Sequence, residues 1–194
     1  MEIKQRQLEI IEAAGEILTQ SGLAGLTTKN LAAKMGFSES ALYRHFKSKE
    51  DIILTMLKYL AKDMDARFEK TISDIESPQE KLKALFNSQF IFFKQKPHFL
   101  IAVFSDGLLE ASTEINEVIS SIMAITKKYL IQIIREGQKH KQFTNEVPVE
   151  DLVHIIMGSF RLHMLQWHMS GYTFDLKLKG SKLMTHLFTL MSSK

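Results

Sequence analysis

TTKNLAAKMGFSESALYRHFKSK, residues 27–49, is the stretch on which the fold turns. Leu31, Ala32 and Met35 lie at helical spacing and predict a short helix opening at Thr27 or Thr28. Gly36 stops it, because a helix C-terminus favours a left-handed residue and glycine adopts that conformation freely. Ser38 is a natural N-cap for a second helix, with Ala41, Leu42 and Phe46 turned inward. Two short helices across a sharp turn form the pattern of a helix-turn-helix, whose second helix enters the DNA major groove. Lys29, Lys34, Arg44, Lys47 and Lys49 stand against a single acid, Glu39, an excess that suits a phosphate-facing surface.

Working outward, Leu8, Ile11, Ala14, Ile17 and Leu18 predict a helix over 3–20 that backs the motif and ends at Gly22. On the other side, Ser48 is placed to cap a helix whose first turn carries Glu50 and Asp51, which suits its positive end. Leu54, Leu57, Leu60, Met64 and Phe68 carry this helix through 48–73, a rod of about 35 Å at 1.5 Å per residue. SDIESPQE, with Pro78, then marks a hinge.

Beyond it, 79–96 places Leu82, Leu85, Phe86, Phe90 and Phe93 on one face, with Ile91 and Phe92 on the other, so burial nearly all round is expected. Pro97 ends that helix, a short one follows over 98–105, and Gly107 breaks it. Residues 113–139 make an amphipathic helix on Ile115, Val118, Ile119, Ile122, Met123, Thr126, Tyr129, Leu130, Ile133 and Ile134. Helix 149–170 is apolar on nearly every face, and a last helix covers about 175–191. No stretch alternates at period two, so the expectation is an all-α chain of about nine helices. It divides into a helix-turn-helix domain, residues 1–47, and a helical regulatory and dimerisation domain, 48–194, bridged by helix 48–73.

Composition narrows the function. A chain of 194 residues with 45% hydrophobic side chains can bury a sizeable core, and its formal charge of +3 neither demands nor excludes nucleic acid. Without cysteine there are no disulfides, thiolate zinc sites or cysteine nucleophiles. His154, His163 and His168 share a helix, but their spacings do not stack on one face, so no metal site and no cofactor are expected. A nucleophile elbow, a glycine-rich phosphate loop and paired carboxylates converging on a histidine are all missing, which argues against an enzyme. Charges run through the first fourteen residues and no long apolar span occurs, so a soluble cytoplasmic protein is expected, nucleoid-associated when bound to DNA.

GFSESALYRHFKSKE resembles the DNA-binding signature of the TetR family of bacterial one-component regulators. IIEAAGEILTQSGLAGLTTKNLAAKMG is similar to the family's first helix and its Thr-led second helix. Gly36, Tyr43, Phe46 and the Lys49–Glu50 pair carry the register; past about residue 60 only the pattern of long helices fits. The resemblance implies a three-helix N-terminal DNA-binding domain and a C-terminal ligand-binding and dimerisation domain. It assigns phosphate contacts to Tyr43, His45 and Lys49.

From the residues themselves, Glu39, Ser40, Arg44 and His45 are the polar side chains free to face DNA. Arg44 can read guanine or clamp a phosphate, and Glu39 can accept from cytosine or cap its helix. Thr27 and Thr28 add donors at a helix N-terminus, and Lys29, Ser38 and Ala41 complete the candidate surface.

For the ligand site, the family resemblance implies an inducer cavity among the aromatic helices. The candidate wall is Phe86, Phe90, Phe93, Phe104, Met123, Met157 and Phe160, with Arg161 and His163 as polar points. Phenylalanine and methionine favour a hydrophobic or amphipathic effector. A helix apolar all round needs covering, and Gly158 and Ser159 permit close approach. The expectation is therefore a homodimer in which 149–170 and 175–191 meet their copies, through Leu152, Ile156, Gly158, Ser159, Trp167, Leu183, Leu187 and Phe188. The implied function is a transcriptional regulator, a repressor released from a palindromic operator by its effector, with helix 48–73 as lever. The alternative is a nucleoid-occlusion-like chromosome-binding protein that acts through a protein partner.

Overall fold

The computed structural model describes residues 4–104 and 112–192. Nine helices occur among them: α1 (Gln5–Gly25), α2 (Thr28–Met35), α3 (Glu39–Tyr43), α4 (Lys49–Ile72), α5 (Pro78–Gln95), α6 (His98–Phe104), α7 (Thr113–Lys139), α8 (Val149–Met169) and α9 (Leu176–Met191). Apart from one isolated bridge, Phe143 to Ser192, there is no β-pairing among the described residues. The ends expected at Ser105 and Gly107 lie outside the described residues. Packing divides the chain into two compact units, 1–62 with 96–121 and 63–95 with 122–194. The division falls inside α4 and inside α7 rather than between helices.

In the first unit, α1 buries Ile11, Ala14, Ile17 and Leu18 of the stripe its periodicity marks, with Ile10 beside them, while Leu8 is half-buried. Gly22 leaves helical geometry at φ 62°, so the helix breaks where expected and resumes for one short turn. The Thr27 hydroxyl caps α2 by accepting from the Asn30 N–H at 3.1 Å. Gly36 ends α2 at φ 66°, ψ 30°, and the Phe37 N–H closes the turn on the Ala32 carbonyl at 2.8 Å. A β-branched residue at that φ is strained, so Gly36→Val should cost about 1–2 kcal/mol, read as a lowered midpoint in a denaturant melt.

Ser38 caps α3 through the Ala41 N–H at 3.2 Å. The helix is only five residues long, because the Arg44 and His45 N–H groups turn back to Ala41 and Leu42, three residues behind. Ser48 then starts α4: its hydroxyl accepts from the Asp51 N–H at 3.1 Å, and the Asp51 carboxylate accepts from the Lys47 N–H at 2.9 Å. This reciprocal cap fixes the angle between the two elements. Leu26, Leu31, Leu42, Phe46, Ile52 and Ile53 supply the core beneath α2 and α3.

His98, at the start of α6, presses its imidazole onto α1. A methyl group on Gly15 would lie 2.7 Å from that ring. The Lys96 ammonium reaches the Glu12 carboxylate at 2.8 Å beside it.

The second unit is built on α5 against α9. Phe86, Phe90 and Phe93 are buried as expected, and Phe92 is buried too, whereas Ile91 is 38% exposed. Burial of 78–95 is therefore broad but not complete. Gly180 lets α9 approach α5: a methyl there would stand 2.5 Å from the Phe90 ring. Along α8 a single chain does not cover every apolar face: Ile155, Leu162, Leu165 and Met169 are all exposed. Among the described residues no helix is long and apolar enough to cross a membrane.

Candidate functional site

On the α2–α3 surface, Thr27, Lys29, Ser38, Glu39, Ser40, Tyr43 and Arg44 are exposed, while Thr28, Ala41, His45 and Lys49 are half-buried. Two of the expected roles change once tertiary contacts are seen. Glu39 neither caps its helix nor projects alone: it accepts from the Thr28 hydroxyl at 2.9 Å, tying the start of α3 to the start of α2. Lys49 folds back and donates to the Leu23 carbonyl at 2.9 Å, neutralising the end of α1. Lys34 pairs with Glu16 at 2.6 Å. That leaves Lys29, Arg44 and Lys47 outside any ion pair among the described residues. The tyrosine ring at 43 is half exposed and Arg44, which ends α3, is exposed beside it, so an aromatic hydroxyl and a guanidinium both reach solvent at the end of this helix.

The second site lies in the second unit. Phe160 from α8 gathers the α5 rings, with centroids 5.5 Å from Phe86, 5.7 Å from Phe90 and 6.4 Å from Phe93. His163, one turn further along α8, lies 6.0 Å from Phe90 and 5.4 Å from Phe174. Burial pushes its imidazole below the ordinary histidine range, while a hydrogen bond to the Leu176 backbone works the other way. A cleft of about 520 Å³ opens beside this cluster, between α5 and α9. Phe86, Phe90 and Met184 form its floor, and Glu80, Lys83, Asn87, Ser181 and Thr185 its rim.

Of the expected wall residues, Phe86, Phe90, Phe93, Phe160 and His163 come together, and Met157 is half-buried on the same helix. Met123 does not line an interior: it is 48% exposed, because it sits one position off the stripe that buries Ile119 and Ile122. Arg161 is exposed as well, turned away from the buried His163 two residues on. Phe104 belongs to the first unit. Sequence reasoning missed Arg67, whose guanidinium donates to Ser88 at 2.8 Å and Gln89 at 3.0 Å and lies 4.5 Å from the centre of the Phe92 ring. Burial lowers its pKa, and nothing in the helical periodicity of α4 distinguishes it from a solvated arginine.

The expected dimer residues also need correcting. Leu152, Ile156, Trp167, Leu187 and Phe188 are buried within a single chain, so they are core residues and have no free surface to offer a copy. Leu183 and Ser159 are half-buried, and Gly158 is exposed with nothing within 4 Å of where a side chain would begin. The face α8 leaves open is Ile155, Leu162, Leu165 and Met169, spaced at helical intervals, and α9 adds Leu178 and Leu190. Among the described residues no group of three or more histidines and carboxylates is placed to hold a metal ion.

Comparison with known proteins places this architecture. Residues 10–56 match the bacterial regulatory proteins of the tetR family, and 60–191 match the C-terminal region of the YsiA-like proteins. The chain belongs to the TetR family. It is a DNA-binding transcriptional regulator of the helix-turn-helix type. A fatty acid metabolism regulator protein of Bacillus subtilis (strain 168) is 22% identical over 191 residues, 98% of each chain. The nucleoid occlusion factor SlmA of Shewanella sp. (strain W3-18-1) is 28% identical over 131 residues, 68% of this chain and 66% of that one. A solved structure of the regulator FadR from Bacillus subtilis in complex with stearoyl-CoA has the same fold, with a TM-score of 0.80 and 22% identity over 96% of this chain and 98% of that one.

Proposed function

We propose that this TetR-family chain is a repressor that binds a palindromic operator as a homodimer and is released by an amphipathic acyl effector. The aromatic cluster on Phe160, with the cleft beside it, is the observation that carries the effector half of the reading. Aromatic walls and a polar rim suit a molecule with a long apolar body and one polar end. The full-length similarity to a fatty acid metabolism regulator, and the stearoyl-CoA bound by the FadR of similar fold, support an acyl chain as that body. The nucleoid-occlusion reading is supported by similarities over 131 residues in one such factor and 190 in another, but it leaves the cleft without a role.

On the DNA side, Arg44 and Tyr43 present a guanidinium and a hydroxyl from α3, and Lys29 and Lys47 flank them. Thr27, Thr28, Ser38, Ser40 and His45 supply further donors, and Ala41 lets the helix approach closely. Glu39 positions α3 on α2 through Thr28. Lys49 contributes one charge from a fixed place, since its ammonium retains two donors after meeting Leu23. Arg44→Ala should flatten the dependence of log affinity on log salt by about one unit and weaken binding to all sequences if Arg44 clamps a phosphate. Loss of preference at one base position, with the slope kept, would instead assign it to base readout.

The effector acts only through different affinities for the DNA-competent and incompetent arrangements. We take α4, whose residues belong to both packing units, as the covalent route for that difference. The test is operator release. With the protein bound to the promoter region of its own gene, stearoyl-CoA should lower the bound fraction in a mobility-shift assay at concentrations below its micellar range. An unchanged bound fraction would reject the acyl effector. Many dispersed genomic sites with no ligand response would favour the chromosome-binding alternative.

A further inference from the structure

We propose that His163 is the polar anchor of the effector site and that it selects a neutral hydrogen-bonding group carried on an apolar body, admitted from the α5–α9 cleft past the Phe90 ring. This deepens the effector reading and rests on it. His163 is 8% exposed, and its Nε2 has no hydrogen-bond partner among the described residues. A buried polar atom left unpaired is costly, so such atoms are rare unless something else satisfies them. Around this one the surroundings are aromatic: Phe90 at 6.0 Å, Phe174 at 5.4 Å, and Phe160 against Phe90 at 5.7 Å.

Phe90 is the shared wall. One side of its ring belongs to the floor of the cleft, and the other meets His163. It is held in place by α9, where Gly180 leaves room for its edge and any larger residue would collide with it. For an occupant of the cleft to reach the imidazole, this one ring must move aside. The same geometry sets the chemistry of the occupant. A ring of phenylalanines around an uncharged imidazole stabilises apolar surface and offers one hydrogen bond, but no counter-charge. Lys179 stands over Phe174, 4.5 Å from its centre, yet it is exposed and its charge is shared with solvent. A hydroxyl or an amide N–H, which can donate to Nε2 while the other ring nitrogen bonds the Leu176 backbone, therefore suits the anchor better than a carboxylate or a quaternary ammonium.

The protein carries its own reporter. Trp167 is the single tryptophan, it lies one turn from His163 on α8, and its indole N–H donates to the Phe174 carbonyl at 3.1 Å. Titrating the full chain with 1-dodecanol should change Trp167 fluorescence saturably. Sodium dodecanoate and dodecyltrimethylammonium should bind about tenfold more weakly, the factor expected for one desolvated polar group. His163→Phe, which keeps the ring volume, should lose about tenfold in dodecanol affinity, and His163→Gln should recover most of it. Where the phenylalanine variant fails to fold, His163→Leu takes its place against the same glutamine rescue.

Dodecanol affinity unchanged in the apolar variant, or equal affinity for the charged amphiphiles, would overturn the anchor. The two readings separate on DNA release. If stearoyl-CoA frees operator from wild type and His163→Phe at the same dose, the effector reading stands and the anchor falls. If it frees neither while dodecanol binding depends on His163 as described, the anchor stands and the acyl-effector reading falls.

Discussion

Leu162→Glu should convert the protein to a monomer in sedimentation velocity and lower operator affinity by about 10³-fold, the margin by which specific binding exceeds binding to random DNA. The size of the effect follows from geometry. On the proposed palindromic operator two α3 helices would enter successive grooves, so one monomer would keep only half of the contacts. Leu162 is 56% exposed in the middle of the open face of α8, between Ile155 and Met169, which are 47% and 77% exposed. Singly exposed leucines are ordinary, but a row of them at helical spacing on one helix is a surface that water does not favour. A glutamate there places a charge in the centre of the proposed contact, where it must be desolvated without a partner. Trp167→Ala serves as the contrast. Trp167 is 4% exposed in the single chain, so its loss should lower the melting temperature of the chain itself rather than dissociate intact subunits. Monomeric Leu162→Glu that still binds operator with wild-type affinity would remove the dimer from the account.

Acidification should destabilise the first unit by about 3 kcal/mol between pH 7 and pH 4, at 1.36 kcal/mol per pKa unit, and His98 is the group responsible. Burial beneath Gly15 lowers its pKa from 6.5 to about 4, with the Glu12 carboxylate opposing and the Lys96 ammonium assisting. The folded chain therefore holds this imidazole neutral while the unfolded chain protonates it near 6.5. Between those two values the unfolded state binds more protons, so stability is full above the upper one, falls as pH drops, and levels off below the lower one. Its Nε2 has no hydrogen-bond partner among the described residues, so protonation brings no compensating bond. Denaturant melts across this range should show the loss in wild type and a much flatter profile in His98→Phe. A profile identical in the two proteins would transfer the acid sensitivity to other groups.

Much of this was legible in the sequence, and for identifiable reasons. Helix ends could be read because their chemistry is local: Thr27, Ser38 and Ser48 cap the helices they precede, and Gly36 takes the left-handed geometry that stops α2. The aromatic cluster was visible for the same kind of reason, since Phe86, Phe90 and Phe93 recur on one face of α5. Contacts between distant residues were not. The Thr28–Glu39 and Lys49–Leu23 bonds join positions eleven and twenty-six apart, and no spacing rule encodes them. The faces of α8 defeated pattern reading in a different way. A helix with apolar residues all round carries no polar stripe to mark its outside, so which face stays open depends on what α5 and α9 cover. Hence Leu152, Ile156 and Trp167 turned out to be core, and Ile155, Leu162, Leu165 and Met169 turned out to be surface.

In the proposed mechanism α2 and α3 hold DNA through phosphates, and an amphiphile bound in the second unit weakens the hold. Fluorescence anisotropy on a labelled promoter fragment, measured across a salt series with and without stearoyl-CoA, tests both parts together. The expected result is a steep fall of log affinity with log salt, flattened by about one unit in Arg44→Ala, and a loss of affinity with stearoyl-CoA at every salt concentration. A flat salt dependence, or a steep one that stearoyl-CoA leaves unmoved, would contradict it.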